Sequence, residues 1–156
     1  MIQMTLGNLI SVLEEVKDKT KWVKFDFDSY PDRLHSWRGI YSDLAVGYQS
    51  YRRIRVSTFL KRLKFAVNKV FTGYKGGEYI MDVDTRIWIE HEGQWQSTRG
   101  IVGVTQDEKW VILNTGNCEE NTIVIGEVPK IGLNLSIELS GIYRSIINAA
   151  GRKEIL

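Results

Sequence analysis

The sequence is poor in the residues from which metal centres and disulfide scaffolds are built. It has one cysteine, Cys118, and two histidines, His35 and His91, in 156 residues. One cysteine cannot form an internal disulfide, and three such ligands are too few for most zinc sites. We therefore expect no metal site, no cofactor and a reducing compartment.

Long apolar runs are also absent. No stretch reaches the length of a membrane span, and residues 1–10 lack the basic and apolar regions of a signal peptide. Hydrophobic residues make up 43% and charged residues 26% of the chain, as in ordinary soluble proteins. We expect one cytoplasmic domain over residues 1–156, with no membrane partner and a core that is stable without a disulfide or a bound metal.

Acidic residues are missing from one long segment, although the net charge is only +2. Between Leu44 and Gly77 there is no Asp or Glu, while the segment holds four arginines and four lysines. A basic face of this kind attracts phosphates, nucleotides or nucleic acid. A solvated helix face that balances acidic neighbours is the alternative, and a pI near 8.6 makes nucleic acid the less favoured partner.

Hydrophobic periodicity predicts two helices before the last quarter of the chain. Apolar residues recur at helical spacing from Thr5 to Lys17, with Thr5 as the N-cap. A second helix is predicted to begin at Ser57 or Thr58 and to end at Gly73. Turn-forming residues between Asp28 and Arg38 favour a loop folded against the domain.

Alternating and β-branched residues predict most of the remaining elements. Gln106-Asp107-Glu108 is a predicted hairpin turn, and a terminal helix is predicted after Pro129, in an extension spanning 114–156. The order of elements indicates an α+β fold with an antiparallel or mixed sheet and helices packed on it. The predicted strands are 22–27, 41–48, 79–81, 85–90, 100–105, 109–114 and 122–125.

A glycine-rich segment, Phe71 to Tyr79, is the first candidate binding motif. Gly76 and Gly77 can bring amide hydrogens close to a phosphate, and Lys75 adds a positive charge. Tyr74 offers a ring for stacking on a base. The spacing matches neither the Walker loop nor the dinucleotide fingerprint, and a helix C-cap with a tight turn is the alternative interpretation.

The second candidate motif runs from Ser36 to Ala45. Arg38 lies between Trp37 and Tyr41 in sequence, a combination that can hold a phosphate and cover a base. An arginine stacked on tryptophan and paired with Asp43 inside the fold is the alternative. Trp88 is a further candidate for stacking.

The sequence offers little support for catalysis. His35 and Ser36 are adjacent, so on a strand they point to opposite faces. Asp82 and Asp84 share a face if their strand continues, which suits a divalent ion, but a polar strand edge is the favoured interpretation. Acidic neighbours are expected to raise the pKa of Cys118. We predict no catalytic residues, and an enzyme is the least favoured class.

Both motifs, followed by Thr85 and Trp88, resemble a widespread family of small accessory proteins of tailed bacteriophages. Thr5-Leu6-Gly7-Asn8-Leu9-Ile10 and Gly100-Ile101-Val102-Gly103-Val104 are also similar to that group. The resemblance covers about residues 4–113. The chain departs from it at Trp37, where tyrosine is more common, and at Arg86, where proline is common.

The resemblance implies a protein made in the cytoplasm of an infected bacterium. Phages carry small oligomeric proteins, called sponges, that sequester the nucleotide signals of bacterial immunity. The resemblance therefore suggests a homo-oligomer that binds a small phosphate-bearing nucleotide, such as a cyclic oligonucleotide, without altering the nucleotide. A protein- or nucleic-acid-binding module that uses residues 44–77 is the alternative. The expected ligand-binding residues are Trp37, Arg38, Tyr41, Tyr74, Lys75, Gly76, Gly77 and Trp88.

Overall fold

The computed structural model describes residues 2–90 and 98–118. Within them the chain forms two helices, α1 (Leu6–Glu15) and α2 (Val56–Ala66), and nine strands. The strands are β1 (Trp22–Phe25), β2 (Tyr30–Ser36), β3 (Leu44–Gln49), β4 (Ile54–Arg55), β5 (Val70–Thr72), β6 (Glu78–Ile80), β7 (Ile87–Ile89), β8 (Arg99–Gln106) and β9 (Trp110–Asn117).

Seven of these strands form one mixed sheet in the order β2-β3-β7-β8-β9-β1-β4. The pairs β1 with β9 and β3 with β7 are parallel, while the other neighbours are antiparallel. Strands β5 and β6 form a separate hairpin. The predicted α+β class with a mixed sheet is therefore confirmed, and so is the turn at residues 106–108 between β8 and β9.

Helix α1 begins as predicted. The Thr5 hydroxyl accepts a hydrogen bond from the Asn8 amide at 3.2 Å, and the Asn8 side chain accepts one from the Thr5 amide at 3.0 Å. This reciprocal arrangement satisfies two of the amides that a helix start leaves without partners.

Helix α2 differs from its prediction at both ends. Its N-cap is Arg55, without a side-chain hydrogen bond, so neither Ser57 nor Thr58 is the cap. The helix ends at Ala66 rather than at Gly73, because Asn68 adopts a left-handed conformation with φ 62°, which asparagine tolerates better than most residues. The Asn68 amide then donates to the Met81 carbonyl, and the chain continues into β5.

Residues 30–36 form an edge strand where the sequence predicted a loop. Strand β2 pairs with β3, and its register shifts between Pro31 and Leu34. Proline is tolerated here because an edge strand needs hydrogen bonds on one side only. Tertiary pairing with β3 thus overrides the local turn propensity.

The core lies between the helices and one face of the sheet. Leu9 and Leu13 of α1 and Phe59 and Leu63 of α2 are buried with sheet residues such as Val23. On β1, Trp22 and Lys24 alternate with the buried Val23 and Phe25, so they lie on the face directed away from this core.

The sheet curls until its two edge strands approach each other. Pro31 and Asp32 of β2 line the same pocket as Ile54 and Arg55 of β4, and the Tyr30 ring stacks on Trp110 of β9 with centroids 5.9 Å apart. The meeting of the two edges creates the concave surface described below. The predicted strand 122–125 and the helix after Pro129 lie outside the described residues.

Candidate functional site

The fold brings the two predicted motifs together, although their nearest ends, Ala45 and Phe71, are 26 positions apart in the sequence. The Arg38 guanidinium lies 3.4 Å from the centroid of the Tyr74 ring. Tyr41 and Tyr79 lie with ring centroids 5.7 Å apart, and the Gly73 backbone packs against both rings. Residues of the two motifs are therefore in contact in the fold.

Trp37 and Trp88 do not offer a ring face for stacking on a base. Their indoles stack on each other at 3.9 Å and are 2% and 0% exposed. They form a small cluster with Ala45 and Cys118 on the sheet. Because both rings are buried in this cluster, the structure is at odds with a ligand-binding role for either of them.

The glycine-rich segment forms the tip of the β5–β6 hairpin, not a helix-to-strand junction. Gly76 has φ +90°, and its amide donates to the Gly73 carbonyl at 2.9 Å, while the Gly73 amide donates to Gly77 at 2.7 Å. The turn thus uses the Gly76 amide that was predicted to bind phosphate. Of the alternative interpretation, the tight turn is present and the helix C-cap is wrong, because α2 ends at Ala66. Tyr74, Lys75, Gly76 and Gly77 are exposed.

A buried ion pair lies beside the two tryptophans. The Asp43 carboxylate accepts from Arg86 at 2.9 Å and from the Trp88 indole nitrogen at 2.9 Å. Burial raises the pKa of Asp43, and the Arg86 charge opposes that rise. The arginine paired with Asp43 is therefore Arg86, whereas the sequence suggested Arg38.

The groups considered for catalysis contact other groups of the fold. The Ser36 hydroxyl donates to the Tyr41 carbonyl, and His35 Nε2 lies 3.4 Å from the buried Glu90 carboxylate. The Asp82 carboxylate accepts from the Asp84 amide in a turn, so these two carboxylates do not share a strand face. No cluster of three or more His, Cys, Asp or Glu suited to a metal occurs among the described residues.

Cys118 has the predicted direction of pKa shift for a different reason. Its pKa is raised mainly by burial, since the thiol is 1% exposed. The sequence attributed this shift to acidic neighbours. A buried thiol with a raised pKa is a poor nucleophile.

A concentration of positive charge lies elsewhere, in the concavity where β2 meets β4. This pocket of about 170 Å³ is lined by four arginines, Arg52, Arg53, Arg55 and Arg62, with Trp22 on its wall. We call it the arginine pocket. Asp32 also lines the arginine pocket, but its carboxylate pairs with Arg33 at 3.7 Å.

Two of these arginines are held in place by the fold. Arg62 donates to the Asp32 carbonyl at 2.9 Å, and Arg55 donates to the Thr20 carbonyl while its guanidinium lies 3.7 Å from the Trp22 ring centroid. Within the described part of the chain, the Arg52 guanidinium has no hydrogen-bond or ion-pair partner. The arginine pocket thus combines anchored cations with a cation available to an anion.

A second depression continues from the arginine pocket along α2. It has a volume of about 520 Å³ and shares Asp32, Thr58 and Arg62 with the arginine pocket. We call it the phenylalanine groove because Phe65 and Phe71 line it. Lys69 lies 5.4 Å from both ring centroids, and Phe65 is 74% exposed.

On its other side the arginine pocket adjoins a pair of tryptophans. Trp22 and Trp110 are direct neighbours across the parallel strands β1 and β9. Arg53 lies 5.9 Å from the Trp22 ring and 5.4 Å from the Trp110 ring. Lys24 and Lys109 lie 4.9 and 5.5 Å from Trp110. Both indoles are half-buried and surrounded by cations.

The sequence carried a signal for part of this surface. The four arginines belong to the acid-free segment 44–77, which was predicted to form a basic face. No local motif marks Trp22 and Trp110. Their association with the arginines depends on the pairing of β1 with β4 and β9.

Comparisons with protein-family models, curated proteins and solved structures found no match. In the described residues, no helix combines the length and apolar character that crossing a membrane requires.

Proposed function

We propose that the protein binds a phosphate-bearing nucleotide without altering it, and that the arginine pocket is the phosphate site. The observation that carries this proposal is the convergence of Arg52, Arg53, Arg55 and Arg62 on one concavity beside Trp22. Arginine suits phosphate because its planar fork donates two parallel hydrogen bonds.

The electrostatics of the pocket favour an anion. Four guanidinium groups line it against one carboxylate, Asp32, whose charge is already balanced by Arg33. Like charges held close together repel, so an anion that enters the pocket relieves the repulsion among the guanidinium groups. The aromatic ring of Trp22 adds a flat apolar wall of the kind that nucleobases contact.

The resemblance to phage accessory proteins supports a narrower role. On that basis we propose that the ligand is a nucleotide immune signal, such as a cyclic oligonucleotide, and that the protein sequesters it in the cytoplasm of the infected host. A homo-oligomer belongs to this proposal, because a symmetric ligand fits a site on a two-fold axis. We propose the helix predicted after Pro129, which lies outside the described residues, as the subunit interface.

Titration calorimetry against cyclic di- and trinucleotides and ADP-ribose signals tests the proposal. We expect binding by the wild type, and at least about tenfold weaker binding by Arg52→Gln/Arg53→Gln, since charge-assisted hydrogen bonds contribute about 1.5–3 kcal/mol each. The matched control, Lys17→Gln/Lys75→Gln, removes two charges from exposed positions and should bind as the wild type does.

Absence of heat across the panel at physiological salt would refute nucleotide binding. Loss of binding in the control alone would move the site to the hairpin tip at Lys75. Chromatography of the ligand after denaturing the complex tests the second half of the proposal, because a chemically changed ligand would indicate an enzyme.

A further inference from the structure

The arginine pocket is the centre of a longer surface. It shares Trp22 with the tryptophan pair of β1 and β9, and its Arg53 lies near both indole rings. It shares Thr58 and Arg62 with the phenylalanine groove. We call the whole the basic track. Its cations are Lys24, Arg52, Arg53, Arg55, Lys61, Arg62, Lys69 and Lys109. Its rings are the exposed Phe65 and the half-buried Trp22, Trp110 and Phe71, of which Trp110 has Tyr30 stacked on it.

From the basic track we infer that the ligand class extends to single-stranded nucleic acid of several nucleotides. This inference rests on the proposed function, because it uses the arginine pocket as the central phosphate site. It goes further in assigning the tryptophan pair and the phenylalanine groove to the bases and phosphates on either side.

The length of the basic track exceeds what one nucleotide needs. Arg55 is the N-cap of α2 and Phe65 lies ten residues further on, near the end of the helix, which corresponds to about 15 Å along a helix. The track continues beyond Arg55 to Trp22 and Trp110 on the sheet. A mononucleotide fills the arginine pocket and leaves both ends of this surface uncovered.

Aromatic rings lie beside cations at both ends of the basic track, and this combination favours unpaired bases. Proteins that bind single strands without sequence preference combine a positive groove with rings on which bases stack. Phe65 is 74% exposed with Lys69 beside it, and Trp110 is half-buried with two lysines and Arg53 around its ring. A duplex hides its base faces, so it can use the cations but not these rings.

Net charge alone makes nucleic acid the less favoured partner, but the distribution of charge outweighs the total. Acidic residues near the track are engaged locally. Asp32 pairs with Arg33, and the Asp107 carboxylate accepts from the Lys109 and Trp110 amides, which lower its pKa. Both carboxylates remain negatively charged, but the eight cations of the basic track outnumber them.

Fluorescence anisotropy with 5′-labelled dT12 and rU12 tests the inference, with a 12-base-pair duplex and unlabelled dTMP as comparisons. We expect both single strands to bind at least about tenfold more tightly than the duplex and than dTMP. Trp110→Leu should weaken dT12 binding about tenfold, since stacking contributes about 1–3 kcal/mol per base, and Trp110→Phe should restore most of it.

A second pair of variants keeps the test independent of any effect on folding. Phe65→Ser should weaken dT12 binding, while Ile80→Ser, an equally drastic change at a residue that is 63% exposed on β6 and does not line the basic track, should not. Arg53→Gln/Lys69→Gln should lower the slope of log K against log salt by about 1.4, because each phosphate contact contributes about 0.7 for single strands.

Failure of this inference is distinguishable from failure of the proposed function. If small nucleotides bind through Arg52 and Arg53 but affinity does not rise with strand length, only the inference falls. It also falls if the duplex or inorganic polyphosphate binds as tightly as dT12, because stacking then plays no part. If neither small nucleotides nor dT12 bind, the proposed function fails as well.

Discussion

Replacing Arg86 with methionine tests the buried ion pair beside Trp88. Arg86 and Asp43 contact each other at 2.9 Å, with side chains 19% and 10% exposed. In the Arg86→Met variant the Asp43 carboxylate keeps its hydrogen bond from Trp88 but loses the only cation that contacts it in the described structure. The variant therefore carries a buried negative charge without compensation.

The expected cost follows from that burial. Removing one partner of a buried ion pair costs about 3–5 kcal/mol of unfolding free energy. Arg86 is partly exposed, so water reaches one side of the pair and the lower end of the range applies. We expect Arg86→Met to lower the free energy of unfolding by about 3 kcal/mol at pH 8.

Urea denaturation followed by tryptophan fluorescence measures this change. The matched control is Lys64→Met, which breaks the exposed pair between Lys64 and Glu14, with side chains 52% and 47% exposed. Exposed pairs contribute about 0–1 kcal/mol. A loss below about 1 kcal/mol in Arg86→Met, equal to that of the control, would refute the assignment of a buried, compensated carboxylate.

The pH dependence provides a second test of the same pair. Burial raises the pKa of Asp43 in the folded protein. At pH values between the unfolded pKa and the folded pKa, the folded state therefore holds a proton that the unfolded state has lost. Stability contributed by this carboxyl therefore falls as pH rises through its folded pKa. Without Arg86 the pKa rises further, and the deficit of Arg86→Met should be smaller at pH 5 than at pH 8. A constant deficit would contradict the argument.

Three other predictions concern local structure and can be checked by the same denaturation assay or by thiol labelling. Gly76→Ala should cost about 1 kcal/mol from its positive φ alone, since nothing lies within 4 Å of a Cβ there. Gly39→Ala should cost about 1–3 kcal/mol by overpacking, because its Cβ would lie 2.4 Å from an indole carbon; equal losses would contradict this distinction. Thr5→Ala should cost about 1 kcal/mol as a lost N-cap, whereas Ser57→Ala should cost less than about 0.5 kcal/mol, and the reverse order would contradict the observed caps. Cys118 should react with a thiol reagent only as fast as the protein opens; rapid labelling of the native protein would contradict its burial.

The sequence by itself determined the features that depend on local pattern. The apolar spacing and the Thr5 cap located α1, alternation located β1, and turn residues located the β8–β9 hairpin. Even the basic character of residues 44–77 followed from composition. Each of these signals depends on residues that are neighbours in the chain, so no long-range contact was needed to interpret them.

Tertiary structure decided where the candidate site lies. Trp37 and Trp88 carry the sequence signature of stacking residues, but they are buried on each other, and the Gly76 amide is used by its own turn. The arginine pocket exists because the sheet curls and brings Pro31 and Asp32 of one edge against Ile54 and Arg55 of the other. Trp22 and Trp110 become neighbours only through strand pairing. Strand order and sheet curvature arise from the packing of the whole core, so contacts between distant segments cannot be predicted from local residue patterns.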